Sequence, residues 1–122
     1  GELVGRHVSI FQTDGRGELE LERSISLPFA VDNLTSPNGR TLWATGHPKL
    51  FTLARGYQKD ESAISPSRAA IVNPIDGRVK TIFEDNGELL SVSSVAVMLP
   101  DQSFLVGTAF GPSILRCTLQ TS

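Results

Sequence analysis

Turn dipeptides divide this chain into short runs in which apolar and polar side chains alternate, a pattern that leaves little room for anything but antiparallel β-structure. Asp14-Gly15 separates His7–Gln12 from Glu18–Leu27, and Asn38-Gly39 separates residues 30–36 from 41–47. Asp76-Gly77 sits between residues 67–74 and the run that ends at Asp85, and Pro100-Asp101-Gln102 separates residues 92–100 from 103–110. Asx-Gly pairs take up the positive φ angles that tight hairpin turns demand. Within the runs the period is two. Val8 and Ile10 alternate with Ser9 and Phe11, and Leu19 and Leu21 alternate with Glu20 and Glu22, so each strand is expected to bury one face. Glu20, Glu22 and Arg23 read as a solvated face, and Trp43 as core packing.

The pattern repeats. Residues 30–46 and 92–109 each give an apolar strand, a proline-containing turn and a second apolar strand with glycine at its end, at an offset of about 60 residues. The first copy continues through two more strands, the second through one, and two strands precede the first copy. Counted as four-stranded blades, this predicts an all-β chain holding about two and a half blades of an antiparallel propeller. Residues 1–28 would end one blade, 29–88 form a complete blade, and 89–122 supply three strands of the last. A missing outer strand would come from elsewhere and cover the final edge. A self-contained nine-stranded sandwich satisfies the same count.

Composition narrows the function classes. With 122 residues the chain suffices for one core, and 39% hydrophobic with 20% charged residues is the balance of a folded domain. No apolar run approaches the ~20 residues of a membrane helix, and Gly1-Glu2-Leu3-Val4 carries no signal-peptide pattern. Eleven basic and 13 acidic residues give a formal charge of −2. The basic residues are scattered without interleaved aromatics, which argues against a nucleic-acid partner. The lone Cys117 reads either as a small buried hydrophobe or as half of a disulfide whose partner lies outside this chain.

One pair breaks the apolar pattern. Asp32 and Asn33 are adjacent at the start of a strand, where two hydrophobic side chains would pack better. In a four-stranded meander that strand start lies at the same end as Gly46-His47, Ser93-Ser94 and Phe110, while the Asn38-Gly39 and Asp76-Gly77 turns lie at the other. The polar stretch from Pro48 to Ser67 would overhang this end as a lid. An Asp-Asn pair is in most sequences an Asx turn. Aimed at the axis of a ring, the same pair offers carboxylate and amide oxygens to a hard cation such as calcium, which takes ~6–8 oxygens, the rest coming from neighbouring blades. Asn33-Leu34-Thr35 is formally a glycosylation sequon, and a glycan and a metal exclude each other at Asn33. His47 ends an apolar strand and precedes a proline, so it reads as a turn residue or as a pocket residue near a neutral pKa. Ser91, Ser93 and Ser94 follow the strand pleat and lack a G-x-S-x-G elbow, so a serine nucleophile is excluded.

The segments "VDNLTS", "TLWATGHP", "FEDNGELLSVSSVA", "FLVGTAF" and "ILRC" together resemble, in order, the C-terminal part of the serum paraoxonase/arylesterase family. The resemblance covers most of the chain and is weakest over Ala54 to Pro66. It implies a six-bladed propeller and a calcium-dependent hydrolase of lactones and aryl esters, secreted or extracytoplasmic. It further implies that Asp32 and Asn33 are ligands of a central calcium, that His47 lines the pocket to orient substrate or act as base, and that Ser94 and Phe110 are pocket-wall positions. Cys117 would pair with a cysteine of the N-terminal region. Calcium would polarise the substrate carbonyl for attack by an activated water. The implied partners are the remaining N-terminal blades and a small lactone or ester. The family's other calcium ligands and its histidine pair precede the segment covered here. Without them the parent would be a non-hydrolytic propeller, ligand-binding or strictosidine-synthase-like.

Overall fold

The computed structural model describes residues 5–47, 66–86, 93–108 and 113–119. These residues are all-β. The strands are β1 (His7–Thr13), β2 (Leu19–Ser26), β3 (Ala30–Thr35), β4 (Leu42–His47), β5 (Ser67–Val72), β6 (Val79–Asp85), β7 (Ser93–Met98), β8 (Ser103–Thr108) and β9 (Leu115–Thr118). Three antiparallel meander sheets result, β1-β2, β3-β4-β5-β6 and β7-β8-β9, each strand pairing with its neighbour in sequence. They are antiparallel blades of the β-propeller type.

The turns follow the chemistry of their residues. Gly15, Gly39 and Gly77 all take positive φ, which glycine adopts without steric penalty. At the β3–β4 turn the Asn38 Oδ1 accepts the Arg40 and Thr41 backbone N–H groups, each at 2.9 Å, an Asx turn.

The sheets pack face to face, and the middle sheet is covered on both sides. Successive residues of β4 therefore serve different cores. Ala44 joins Ala70, Val72, Val8, Ile25 and Phe29 between the first and second sheets. Trp43 joins Ala69, Ala96, Phe104 and Val106 between the second and third. Trp43 and Phe104 meet edge to face, with ring centroids 5.5 Å apart and planes at 71°, the arrangement favoured by aromatic quadrupoles. Small residues, three of them alanines, occupy the inner register pairs Ala44–Ala70 and Thr45–Ala69. Polar pegs add to the apolar contacts: Thr35 Oγ1 donates to the Ala96 carbonyl at 2.8 Å, and the Arg23 guanidinium donates to the Ile75 carbonyl.

The first sheet departs from the expected alternation. Val8 and Ile25 are buried, but Leu19 and Leu21 are 67% and 56% exposed. The cause is a register shift. Ile10 pairs with Arg23 while the next residue, Phe11, pairs with Leu21, leaving Glu22 as the extra residue of a bulge. A bulge reverses which side chains share a face beyond it, so the apolar set turns away from the core.

Candidate functional site

A second bulge explains the awkward Asp32-Asn33 pair. In the β3–β4 ladder Val31 pairs with Gly46 and Asn33 with Thr45, so Asp32 has no partner. An extra residue of this kind bends the strand and re-aims its side chains, and bulges concentrate beside active sites. Here it suspends the alternation. Ala30 and Val31 are both buried, while Asp32 and Asn33 are both exposed. Two oxygen-bearing side chains are thus presented together at one end of the sheet.

His47 stands beside them. It is the last residue of β4 and pairs with Ala30. Its Nε2 lies 3.6 Å from the Asp32 Oδ2, with the imidazole 3% and the carboxylate 36% exposed. That separation exceeds a hydrogen bond but is close enough for strong electrostatic contact. Burial pushes the His47 pKa below its ordinary value, and the Asp32 carboxylate pulls only partly in the other direction. The imidazole is therefore neutral near pH 7. Its Nδ1 is buried and has no hydrogen-bond partner among the described residues.

The close approach of β3 and β4 depends on Gly46. A Cβ there would lie 1.8 Å from the Ala30 carbonyl oxygen and 2.7 Å from the Phe29 ring. Only glycine lets the two strand ends draw together and bring His47 to Asp32.

The structure brings Asp32, Asn33 and His47 to one end of the middle sheet. Ser94 occupies the corresponding register position in the third sheet: Ser93 pairs with Thr108 and Val95 with Gly107, leaving Ser94 as the bulge residue. The Ser94 side chain, Phe110 and the proposed lid residues 48–65 lie outside the described residues. Cys117 is half-buried among Phe104, Leu115 and other apolar residues, carries a free thiol, and has its pKa raised by burial. Among the described residues, no group of three His, Cys, Asp or Glu side chains converges as a metal cluster. Two features of the site escaped the sequence reading. The bulge had a signal, since two consecutive polar residues after buried Ala30-Val31 break a period of two. The need for Gly46 had none, because it depends on which carbonyl lies opposite.

The fold places the chain among β-propeller proteins, with Asp32, Asn33 and His47 grouped at one end of its middle sheet. The family model described as Arylesterase matches residues 1–119. The chain belongs to the arylesterase family. A search of curated proteins finds no match to it.

Proposed function

We propose that this chain supplies the C-terminal blades of a calcium-dependent hydrolase of lactones and aryl esters. Family membership supports the reaction class. The observation that carries the reading is the bulge that exposes Asp32 and Asn33 side by side, with the Asp32 carboxylate 3.6 Å from His47. Residues 1–28 would close one blade, 29–88 form a whole one and 89–122 begin the last, within a six-bladed ring.

The donor chemistry fits the cation. One carboxylate and one carboxamide oxygen are hard ligands of the kind calcium takes, and a shell of about six to eight leaves the remainder to other blades. Asp32 and Asn33 would hold the ion, which when bound supplies Lewis-acid polarisation of the substrate carbonyl. The chain's own side chains do the rest. Asp32 would both hold the ion and, with its carboxylate 3.6 Å from the Nε2, orient the His47 imidazole. A neutral, largely buried imidazole can orient substrate or take a proton from water, and a lowered pKa keeps it in that state at pH 7. Ser94 and Phe110 would form pocket walls, by position. Cys117 would pair with an N-terminal cysteine, and the protein would act in a secreted or extracytoplasmic setting.

The test is substitution in the full-length protein. Asp32→Ala and Asn33→Ala should each abolish lactone and aryl-ester hydrolysis. Each should also lower the melting temperature in calcium but not in chelator. An equal loss in both conditions would assign the pair to folding rather than metal binding, and a glycan on Asn33 would end the metal reading outright.

A further inference from the structure

The inner gap between the second and third sheets holds a buried polar node beside this site, with Ser93 at its centre. Ser93, the first residue of β7, is fully buried, as is Ser67 at the start of β5. The Ser93 backbone N–H donates to the Ser67 Oγ at 2.9 Å. Its hydroxyl points at two carbonyls, that of Gly46 at 3.2 Å and that of Arg68 at 3.4 Å. One side chain thus links β4, β5 and β7. Its contact on β4 is the residue directly before His47, which pairs with Val31, the residue directly before the Asp32 bulge. Ser93 also directly precedes the bulge at Ser94. A buried hydroxyl that bonds backbone carbonyls across two strands is costly to lose, and this one holds the backbone that carries the candidate pocket.

We infer that Ser93 is a positioning residue for His47: its hydroxyl fixes the Gly46 carbonyl across the sheet-to-sheet gap and so sets where the imidazole stands relative to Asp32. The assignment rests on the proposed pocket, but its geometry can be read without catalysis. Thr35 provides an internal control. It makes a side chain to carbonyl bond between the same two sheets, to Ala96 at 2.8 Å, in the ladder beyond the bulge. Both bonds should contribute comparably to stability, and only the Ser93 bond should reach His47.

The experiment compares Ser93→Ala, Ser93→Thr and Thr35→Val in the full-length protein carrying 15N-labelled histidine. Ser93→Ala only removes atoms and should fold. It should shift the His47 imidazole resonances and lower kcat about tenfold, with KM within about twofold of wild type. Ser93→Thr, which keeps the hydroxyl, should return both toward wild type. Thr35→Val should lower the melting temperature by a similar amount and move neither. Unmoved His47 resonances in Ser93→Ala would overturn the assignment. So would equal shifts in Ser93→Ala and Thr35→Val, or an unchanged kcat in an enzyme that hydrolyses its substrate. If the wild-type protein hydrolyses neither lactones nor aryl esters, the proposed function fails, and the resonances alone decide the role of Ser93.

Discussion

At the start of β3 the bulge residue and its successor are Asp32 and Asn33, while at the start of β7 the same two register positions carry Ser94 and Val95. Both strands open with the same backbone irregularity against the same partner geometry. The contrast separates architecture from chemistry. The bulge belongs to the blade, and recurs because each inner strand must bend where sheets converge. Of these two strands, only β3 carries a carboxylate and an amide at the bulge. A bulge is therefore weak evidence for a site, and a bulge bearing a carboxylate, an amide and a neighbouring imidazole is stronger evidence. The comparison extends along both hairpins: Trp43 on β4 corresponds to Leu105 on β8, and Gly46 to Thr108.

The largest difference should appear at the first of these positions. Trp43 is buried against Phe104, whereas Leu105 is half-buried and belongs to neither core cluster. Trp43→Ala should cost about 3–5 kcal/mol in urea unfolding, and Leu105→Ala about 1–2 kcal/mol because much of its area already meets water. A double-mutant cycle of Trp43 and Phe104 should show a coupling of about 0.5–1.5 kcal/mol. Equal costs at Trp43 and Leu105 would mean that both hairpins are equally covered.

Glycine positions come next. Gly46→Ala drives a Cβ into the Ala30 carbonyl, and backbone cannot step aside as a rotamer can. The expected cost is about 3 kcal/mol or more. Gly107 lies one register step away in the other hairpin, and among the described residues its Cβ would meet only the Val95 side chain at 3.2 Å. Gly107→Ala should fall within about 1 kcal/mol of wild type, since a small shift of the valine offsets the lost chain entropy of glycine. A large cost at Gly107 and a small one at Gly46 would place the tight crossing in the wrong sheet.

These positions also show what a sequence can carry. The strands were legible because Asp14-Gly15, Asn38-Gly39 and Asp76-Gly77 mark turns by local backbone chemistry, and because Trp43 and Val106 sit in short apolar runs bounded by turns. The exposed faces of Leu19 and Leu21 were not legible, since alternation predicts burial and a bulge opposite Ile10 and Phe11 is a property of pairing. Ser93 read as strand pleat because its two carbonyl partners come from β4 and β5. The Asp32-Asn33 pair stood out by residue type, but its meaning needed the register that leaves Asp32 unpaired.

Transplanting content between the bulges tests the separation directly. Asp32→Ser with Asn33→Val gives β3 the residues of β7. In chelator its unfolding free energy should stay within about 0.5 kcal/mol of wild type, because both side chains are exposed, while any stabilisation by added calcium should vanish. A large loss in chelator would mean that the pair supports the fold itself.

The smallest effect is expected at the far turns, where the hairpins again share a device and differ in chemistry. Asn38 caps the β3–β4 turn with a carboxamide oxygen. Asp101 caps the β7–β8 turn with a carboxylate that accepts from the Ser103 hydroxyl and, at 3.1 Å, from the Ser103 backbone N–H. These bonds, with the Arg116 guanidinium behind them, hold the Asp101 pKa below the usual carboxylate value. A carboxylate with a lowered folded-state pKa binds fewer protons than its unfolded counterpart. Its contribution is complete above the unfolded value of about 3.9 and is lost as pH falls through the folded value. Asp101→Asn should therefore lower the melting temperature slightly near neutral pH, and the gap from wild type should close as pH falls below the unfolded carboxylate value of about 3.9. Asn38→Ala should show a gap that does not change over the same range, because an amide does not titrate. A pH-independent gap at Asp101 would mean that its charge plays no part in the turn, and the two hairpins would then share the whole device, chemistry included.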